Sequence, residues 1–255
     1  MNRTLAMILS ACALGAADDR ANDFWLRLSA AAWGPNQSGQ AGFTTDGRDP
    51  GTADLADLGL DGTQTGLMAD VDVQVPIIFL PDVHLGAWTT ASEGNGTLGS
   101  TQAIGDTTVA AGSKVDSTLN LTDLWAELSW RPLDFGLAGF AVGLGVHALD
   151  IHLEEKANGT TATFDETLPI PVLVLRGHVN PIPSLGFEAI LHGMNYNDTN
   201  FLDLRAQAVW RPMDWLGVMA GWRHVALDAT IDDGQDQADL SLTLSGPYLG
   251  ALVQL

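Results

Sequence analysis

The chain has little of what would staple it covalently or draw it to nucleic acid. Its 255 residues include one cysteine, Cys12, so no internal disulfide can form. Lys and Arg number 11 against 31 Asp and Glu, a formal net charge of −20. Phosphate binding needs clustered basic side chains, and the only lysines are Lys114 and Lys156, so nucleic acid is excluded as a partner. Charged residues of both signs reach just 16%. No stretch attains the roughly 18 consecutive apolar residues of a membrane helix. Helix start and stop signals are missing, and nothing implies a cofactor.

What is present is alternation. "GLMADVDVQV" sets Leu67, Ala69, Val71, Val73 and Val75 against Met68, Asp70, Asp72 and Gln74. "FLDLRAQAVW" sets Leu202, Leu204, Ala206, Ala208 and Trp210 against Asp203, Arg205 and Gln207. Phe24, Leu26, Leu28 and Ala30 oppose Arg27 and Ser29; Leu240, Leu242 and Leu244 oppose Asp239, Ser241 and Thr243. A period of two means strands with one apolar face. About ten segments qualify: 23–33, 64–75, 83–92, 117–130, 137–153, 162–179, 185–194, 201–210, 216–230 and 238–255. The links between them alternate. Short, proline-bearing ones lie at 76–82, 131–135, 180–184 and 211–215; longer polar ones lie at 34–63, 93–116, 154–161, 195–200 and 231–237.

This is the layout of an all-β, antiparallel, up-and-down transmembrane barrel of about ten strands, with eight possible, short turns on one side and long loops on the other. Pro169, Pro171 and Pro247 fall inside segments, where bulges are expected because proline lacks a ladder donor. The repeated "SWRPLDF" and "VWRPMDW" read as two such turns, tryptophan at the headgroup level and arginine within reach of phosphate. The start, "MNRTLAMILSACALGAADDR", has the order of a secretory signal peptide over 1–17, leaving one domain over 18–255; "LSAC" alternatively resembles a lipobox with Cys12 lipidated. A secreted sandwich or soluble barrel is the other architecture compatible with alternation.

Aromatics near segment ends favour the membrane reading: Trp130, Phe135, Trp210 and Trp215 toward the short turns, Trp33 and Trp88 toward the long loops, as interface girdles. The ending "YLGALVQL" resembles the C-terminal β-signal of outer-membrane proteins, with Tyr248, Gly250, Val253 and Leu255 in its positions. "LGLDG" (58–62), "PIIFLPDVHLG" (76–86), "TLNLTDLWAEL" (118–128) with the following "LDFGLAGFAVGLG", "LPIPVLV" (168–174) and the final "GPYLGALVQL" resemble a family of small bacterial outer-membrane β-barrel proteins without assigned activity. That resemblance implies fold and cell outer-membrane location, not chemistry.

Inside such a barrel the expected charges are Arg27, Asp70, Asp72, Asp123, Glu127, Glu188, Asp203 and Arg205, either paired and filling the lumen or lining a small polar pore. Asp70 and Asp72 with Asp150 and His152 resemble the acid pair and Asp-His couple of omptin proteases. His152, however, belongs near a long loop and Asp72 near a short turn, too far apart for shared base chemistry. Asp46, Asp49, Asp54, Asp57 and Asp61 make one loop acidic without an EF-hand spacing. The six histidines, His84, His147, His152, His178, His192 and His224, show no metal-ligand spacing. The expected role is structural or interactive, without catalysis, the alternative a narrow channel or carrier for small solutes. Expected partners are the lipid bilayer and the outer-membrane insertion machinery, with small solutes or divalent cations possible at the acidic loops.

Overall fold

The computed structural model describes residues 24–44, 52–77, 79–104, 107–196, 199–232 and 237–255. The proposed signal segment with Cys12, and Asp46 and Asp49, lie outside them. The strands are β1 (Trp25–Trp33), β2 (Asn36–Thr44), β3 (Ala53–Asp54), β4 (Gly62–Thr63), β5 (Thr65–Gln74), β6 (Asp82–Thr97), β7 (Gln102–Ile104), β8 (Thr107–Val109), β9 (Lys114–Asp134) and β10 (Ala138–Ala157). There follow β11 (Thr160–Ile182), β12 (Leu185–Tyr196), β13 (Thr199–Met213), β14 (Leu216–Asp232) and β15 (Gln237–Gln254). Sequential antiparallel pairing runs from β1 through β5, β6 and β9 to β15, and β15 pairs back with β1. The wall is a closed barrel of ten strands, without helices among the described residues. Its end is sealed backbone to backbone, Leu26 and Leu255 exchanging N–H···O bonds of 3.0 and 2.8 Å.

The wall reaches further than the alternation alone indicates. β2 lies within the expected first long loop, yet it keeps the register of β1 on β15: Trp33 faces Tyr248 and Asn36 faces Ser245. β1 and β2 are thus one staircase interrupted at Gly34-Pro35, and β4 extends β5 beside it in the same way.

Each long strand changes its chemistry partway up without changing its parity. On β9 the outward side chains are Asp116, Thr118, Asn120 and Thr122, then Leu124, Ala126, Leu128 and Trp130; the inward ones are Val115, Ser117, Leu119 and Leu121, then Asp123, Trp125, Glu127 and Ser129. β10 does the same, Leu149, Ile151 and Leu153 pointing in, Phe140, Val142, Leu144 and Val146 pointing out. The half near the short turns is apolar outside and polar inside, as lipid demands. The half near the long loops is polar outside and apolar inside, as water demands. The lipid-facing belt on β13, residues 202–210, spans roughly 23 Å at about 3.3 Å per residue and a tilt near 40°. A closed barrel with such a belt leaves no backbone edge in lipid. The other half is a water-facing collar around an ordinary apolar core.

That core is capped. Residues 54–60 fold into a tight turn, with Leu60 N–H donating to Leu55 O at 2.7 Å, and Leu55, Leu58 and Leu60 are fully buried. The turn lies on the inward face of β6, where a Cβ on Gly94 would stand 2.0 Å from the Gly59 oxygen. Glycine there permits the backbone contact that closes the mouth.

The expected proline bulges are not where the strands carry Pro169, Pro171 and Pro247. Ala148 faces Pro169 and Val146 faces Pro171 with no register shift, and Pro247 faces Trp222 without one. The β10–β11 hairpin turns through Asn158 and Gly159, φ 52° and 84°, a two-residue primed turn. Counting down from its Ala157–Thr160 pair, Pro169 and Pro171 turn their missing donors toward β12. The β11–β12 ladder begins only at Leu173–Gly193, so that edge is unpaired. Pro247 turns its own missing donor toward the Gly34-Pro35 break: its carbonyl accepts from Gly34 N–H at 3.0 Å.

The register shifts stand instead at the short turns, between Trp210 and Met213, between Val179 and Ile182, and opposite Phe140 and Val142. These bulges house Pro212, Pro181 and Pro132, so both Trp-Arg-Pro copies are bulges at strand ends. Arg131 is not directed to lipid phosphate. Its Nε donates to Asp82 at 2.7 Å and its Nη2 to Val75 O at 3.2 Å, pinning one short turn to the next. Trp130, Phe135, Trp210 and Trp215 are exposed at this end. Trp33 and Trp88 are not interface residues. They share the parity of Arg27 and His84, point inward, and are 1% and 2% exposed.

If the belt lies where its outward chemistry puts it, Leu128→Arg should cost about 2–4 kcal/mol, and Thr118→Arg, on the collar of the same strand, less than about 0.5 kcal/mol. Denaturant unfolding in lipid vesicles measures both; equal costs would contradict the two-zone wall.

Candidate functional site

The membrane-level lumen holds the polar inward residues, and glycines make room for them. A Cβ on Gly86 would stand 2.3 Å from the Trp125 ring and 2.6 Å from Asp70 Oδ1, and one on Gly221 would stand 2.7 Å from Tyr248 Oη.

All eight charges expected in the lumen point into it, in contact with one another or with residues the sequence reading left aside. Arg27 bridges Asp72 at 2.8 Å and Glu188 at 2.7 Å. Arg205 holds Asp70 at 2.8 Å. Asp203 is gripped by both arms of Arg223, Nε at 3.0 Å and Nη2 at 2.6 Å. Glu127 accepts from Arg176 Nε and pairs with His192 Nε2 at 2.8 Å. Asp123 pairs with His147 Nδ1 at 2.8 Å, and Asp72 with His84 Nδ1 at 2.6 Å. Gln207 joins the ends, donating to Glu188 at 2.6 Å and accepting from Tyr248 Oη at 2.7 Å. The pocket bordered by Arg27, Asp70, Asp72, Arg176 and Arg205 has a volume of about 10 Å³, room for about one water molecule.

Above this network, Arg223 lies 5.3 Å from the Trp33 ring and 5.2 Å from that of Trp88, which meet edge to face at 5.5 Å. The tryptophans assigned from sequence to an outer girdle are therefore the lid over the ion network, worth about 0.5–2 kcal/mol per cation–π contact. Trp125 packs on His192 at 5.5 Å, and Phe201 on His147 at 4.8 Å.

Arg176, Arg223, His84, His147 and His192 were missed as site residues. Parity was the available signal, since each stands in step with an inward residue of its own strand. One donor atom from each of His147, His192 and Asp203 lies within 4.8 Å of the others, and all three side chains are buried. Sequence spacing is blind to this group, which three different strands contribute.

Asp150 and His152 stand on the outside of the collar and contact Thr167 and Asp165, across the wall from Asp70 and Asp72; no omptin-like quartet forms. Of the C-terminal positions, Tyr248 is buried, a Cβ on Gly250 would stand 2.3 Å from Ala30 O, and Leu255 is exposed.

No protein-family model and no curated protein matches the chain. Solved structures do. The outer membrane protease OmpT from Escherichia coli aligns with a TM-score of 0.57 at 8% identity, over 90% of this chain and 97% of that one. The translocator domain of autotransporter NalP from Neisseria meningitidis aligns at 0.45 and 12% identity, over 98% and 94%. Ail, the attachment invasion locus protein of Yersinia pestis, aligns at 0.32 and 11%, over 89% and 98%. The OmpT likeness shows the fold, that of outer-membrane β-barrel proteins.

Because a buried ion left without its partner is costly, Arg205→Leu should destabilise by about 3–5 kcal/mol, and adding Asp70→Asn should recover most of that. Unfolding midpoints of the two variants test it; an additive second loss would mean that the pair does not interact. In the collar, Glu155 is 1% exposed, and burial pushes its carboxyl up to about 7 from 4.5. The folded state then binds the proton more tightly, so its contribution is complete below pH 4.5 and is lost as pH rises through 7. Wild type minus Glu155→Gln should therefore lose about 1–3 kcal/mol of stability between those limits; a pH-independent difference would refute the assignment.

Proposed function

We propose that this protein is a closed, non-conducting scaffold of the cell outer membrane, its role structural or interactive, with the acidic collar as its contact surface. The observation that carries this reading is the doubly filled lumen. Ion pairs occupy the membrane level, and a leucine-capped apolar core occupies the collar. An aqueous path would have to break buried ion pairs below and open an apolar core above.

The outward collar residues Asp116, Asp150, Glu154, Asp165, Asp228 and Asp239 face water. Among the described residues, their basic company on the same surface includes Lys114 and Lys156, the latter paired with Glu154. Such a rim attracts cationic partners and divalent ions and repels anionic ones, and acts mostly on encounter rate and selectivity. Toward lipid the partner is the bilayer itself, and the closing strand β15 is the segment the insertion machinery would engage.

Planar bilayers containing folded protein should remain electrically silent at neutral pH and moderate salt. Reproducible unitary currents from protein that migrates as a folded barrel would overturn the scaffold reading in favour of a channel.

A further inference from the structure

We propose that His147, His192 and Asp203 form a binding site for one divalent first-row transition ion of the zinc type, held inside the barrel by β10, β12 and β13.

The argument starts from protons. His147 Nδ1 is 2.8 Å from Asp123 Oδ2, and His192 Nε2 is 2.8 Å from Glu127 Oε2. An ionised carboxylate only accepts, so each ring directs an N–H outward to its acid. The remaining nitrogens, His147 Nε2 and His192 Nδ1, face each other at 3.0 Å. With both rings neutral these two nitrogens carry lone pairs, which repel unless a proton or a metal cation lies between them. Asp203 Oδ2 is 3.8 Å from the same His192 nitrogen. Metal–nitrogen bonds near 2.05 Å in a tetrahedron put ligand atoms about 3.4 Å apart, and 3.0 and 3.8 Å bracket that value.

The surroundings are those of a metal centre. A carboxylate behind each imidazole fixes tautomer and ring orientation and raises ligand basicity. Arg223 grips Asp203 through both oxygens, orienting it while each oxygen keeps a lone pair. Trp125 and Phe201 wall the imidazoles.

Charge counting points the same way. The ion network around the two histidines holds the acids Asp70, Asp72, Asp123, Glu127, Glu188 and Asp203 against Arg27, Arg176, Arg205 and Arg223, while Asp82 with Arg131, and Arg211, lie nearer the short turns. With neutral imidazoles, the acids of that network outnumber its arginines by two, and uncompensated charge in a low-dielectric interior is expensive. One divalent ion restores neutrality at the point where the lone pairs converge. Two imidazoles and a carboxylate without thiolate suit zinc, cobalt(II) or nickel; calcium and magnesium want oxygen throughout. The enclosed position makes the ion a structural node, taken up as the barrel closes.

The test is to refold the full chain in detergent with one equivalent of cobalt(II) and pass it through gel filtration. Wild type should retain about one cobalt with visible d–d absorption, and zinc should displace it in refolding competition. His147→Gln and His192→Gln should each reduce retention at least tenfold, whereas His178→Gln, at a short turn, should not. Folded wild type that retains less than a tenth of an equivalent would overturn the proposal and assign a shared proton to the facing nitrogens. Unchanged retention in both lumen variants would overturn it as well. Should those variants fail to fold, X-ray absorption on zinc-loaded wild type decides: scattering from two imidazoles with oxygen in the first shell is expected, and one imidazole or none refutes the site.

Discussion

A strand cannot change the direction in which its alternate side chains point without a bulge, whereas the medium outside this barrel changes from lipid to water along every long strand. The rest of the structure follows from that constraint. Parity holds from Val115 to Trp130 of β9, so when the outward side chains pass from Leu124, Ala126 and Leu128 to Asn120 and Thr122, the inward ones pass from Asp123 and Glu127 to Leu119 and Leu121. Polarity released from one face reappears on the other. The lumen is therefore stratified, an ion network at the membrane level beneath an apolar core at the collar level.

The two layers stabilise in different ways. The collar core gains from removing apolar side chains from water, the leucine turn at its mouth included. The membrane layer gains little net energy from its ion pairs, because desolvation offsets most of their attraction. What the pairs supply is position. Arg27 ties β1 to β5 and β12, Arg205 ties β13 to β5, and Arg176 ties β11 to β9. Arginine suits this work because its planar fork binds two acceptors at once. The Trp33, Trp88 and Arg223 stack is the seam between the layers, where a cation meets aromatic faces at the level at which polarity gives way to apolarity.

Much of the wall was legible along the chain. Ten alternating segments correspond to ten wall strands, and the inward parity of Asp70, Asp72, Asp203 and Arg205 follows from the leucines and valines between them. Of the expected aromatic girdle, Trp130, Phe135, Trp210 and Trp215 are exposed at the short-turn end. It was misread at the other because nearness to a strand end was weighed above parity, which already set Trp33 with Arg27 and Trp88 with His84. The proline bulges were misplaced for a related reason. Whether a missing N–H matters depends on whether a neighbouring strand pairs there, and the β11–β12 ladder stops short of Pro169 and Pro171.

The sequence by itself determined the class of structure: strands with two faces, their number, the side each residue takes, and an excess of acid over base. These are local properties, carried by a period of two within each segment. Only the tertiary structure decided which inward residues meet. His147 and His192 come from strands separated by the whole of β11, and Arg27 and Glu188 touch from far apart in the chain because closure sets the stagger of one strand against the next. No pattern within a strand encodes that stagger, so the composition of the lumen was readable in advance, but its pairings, its closed mouth and its histidine–aspartate node were not.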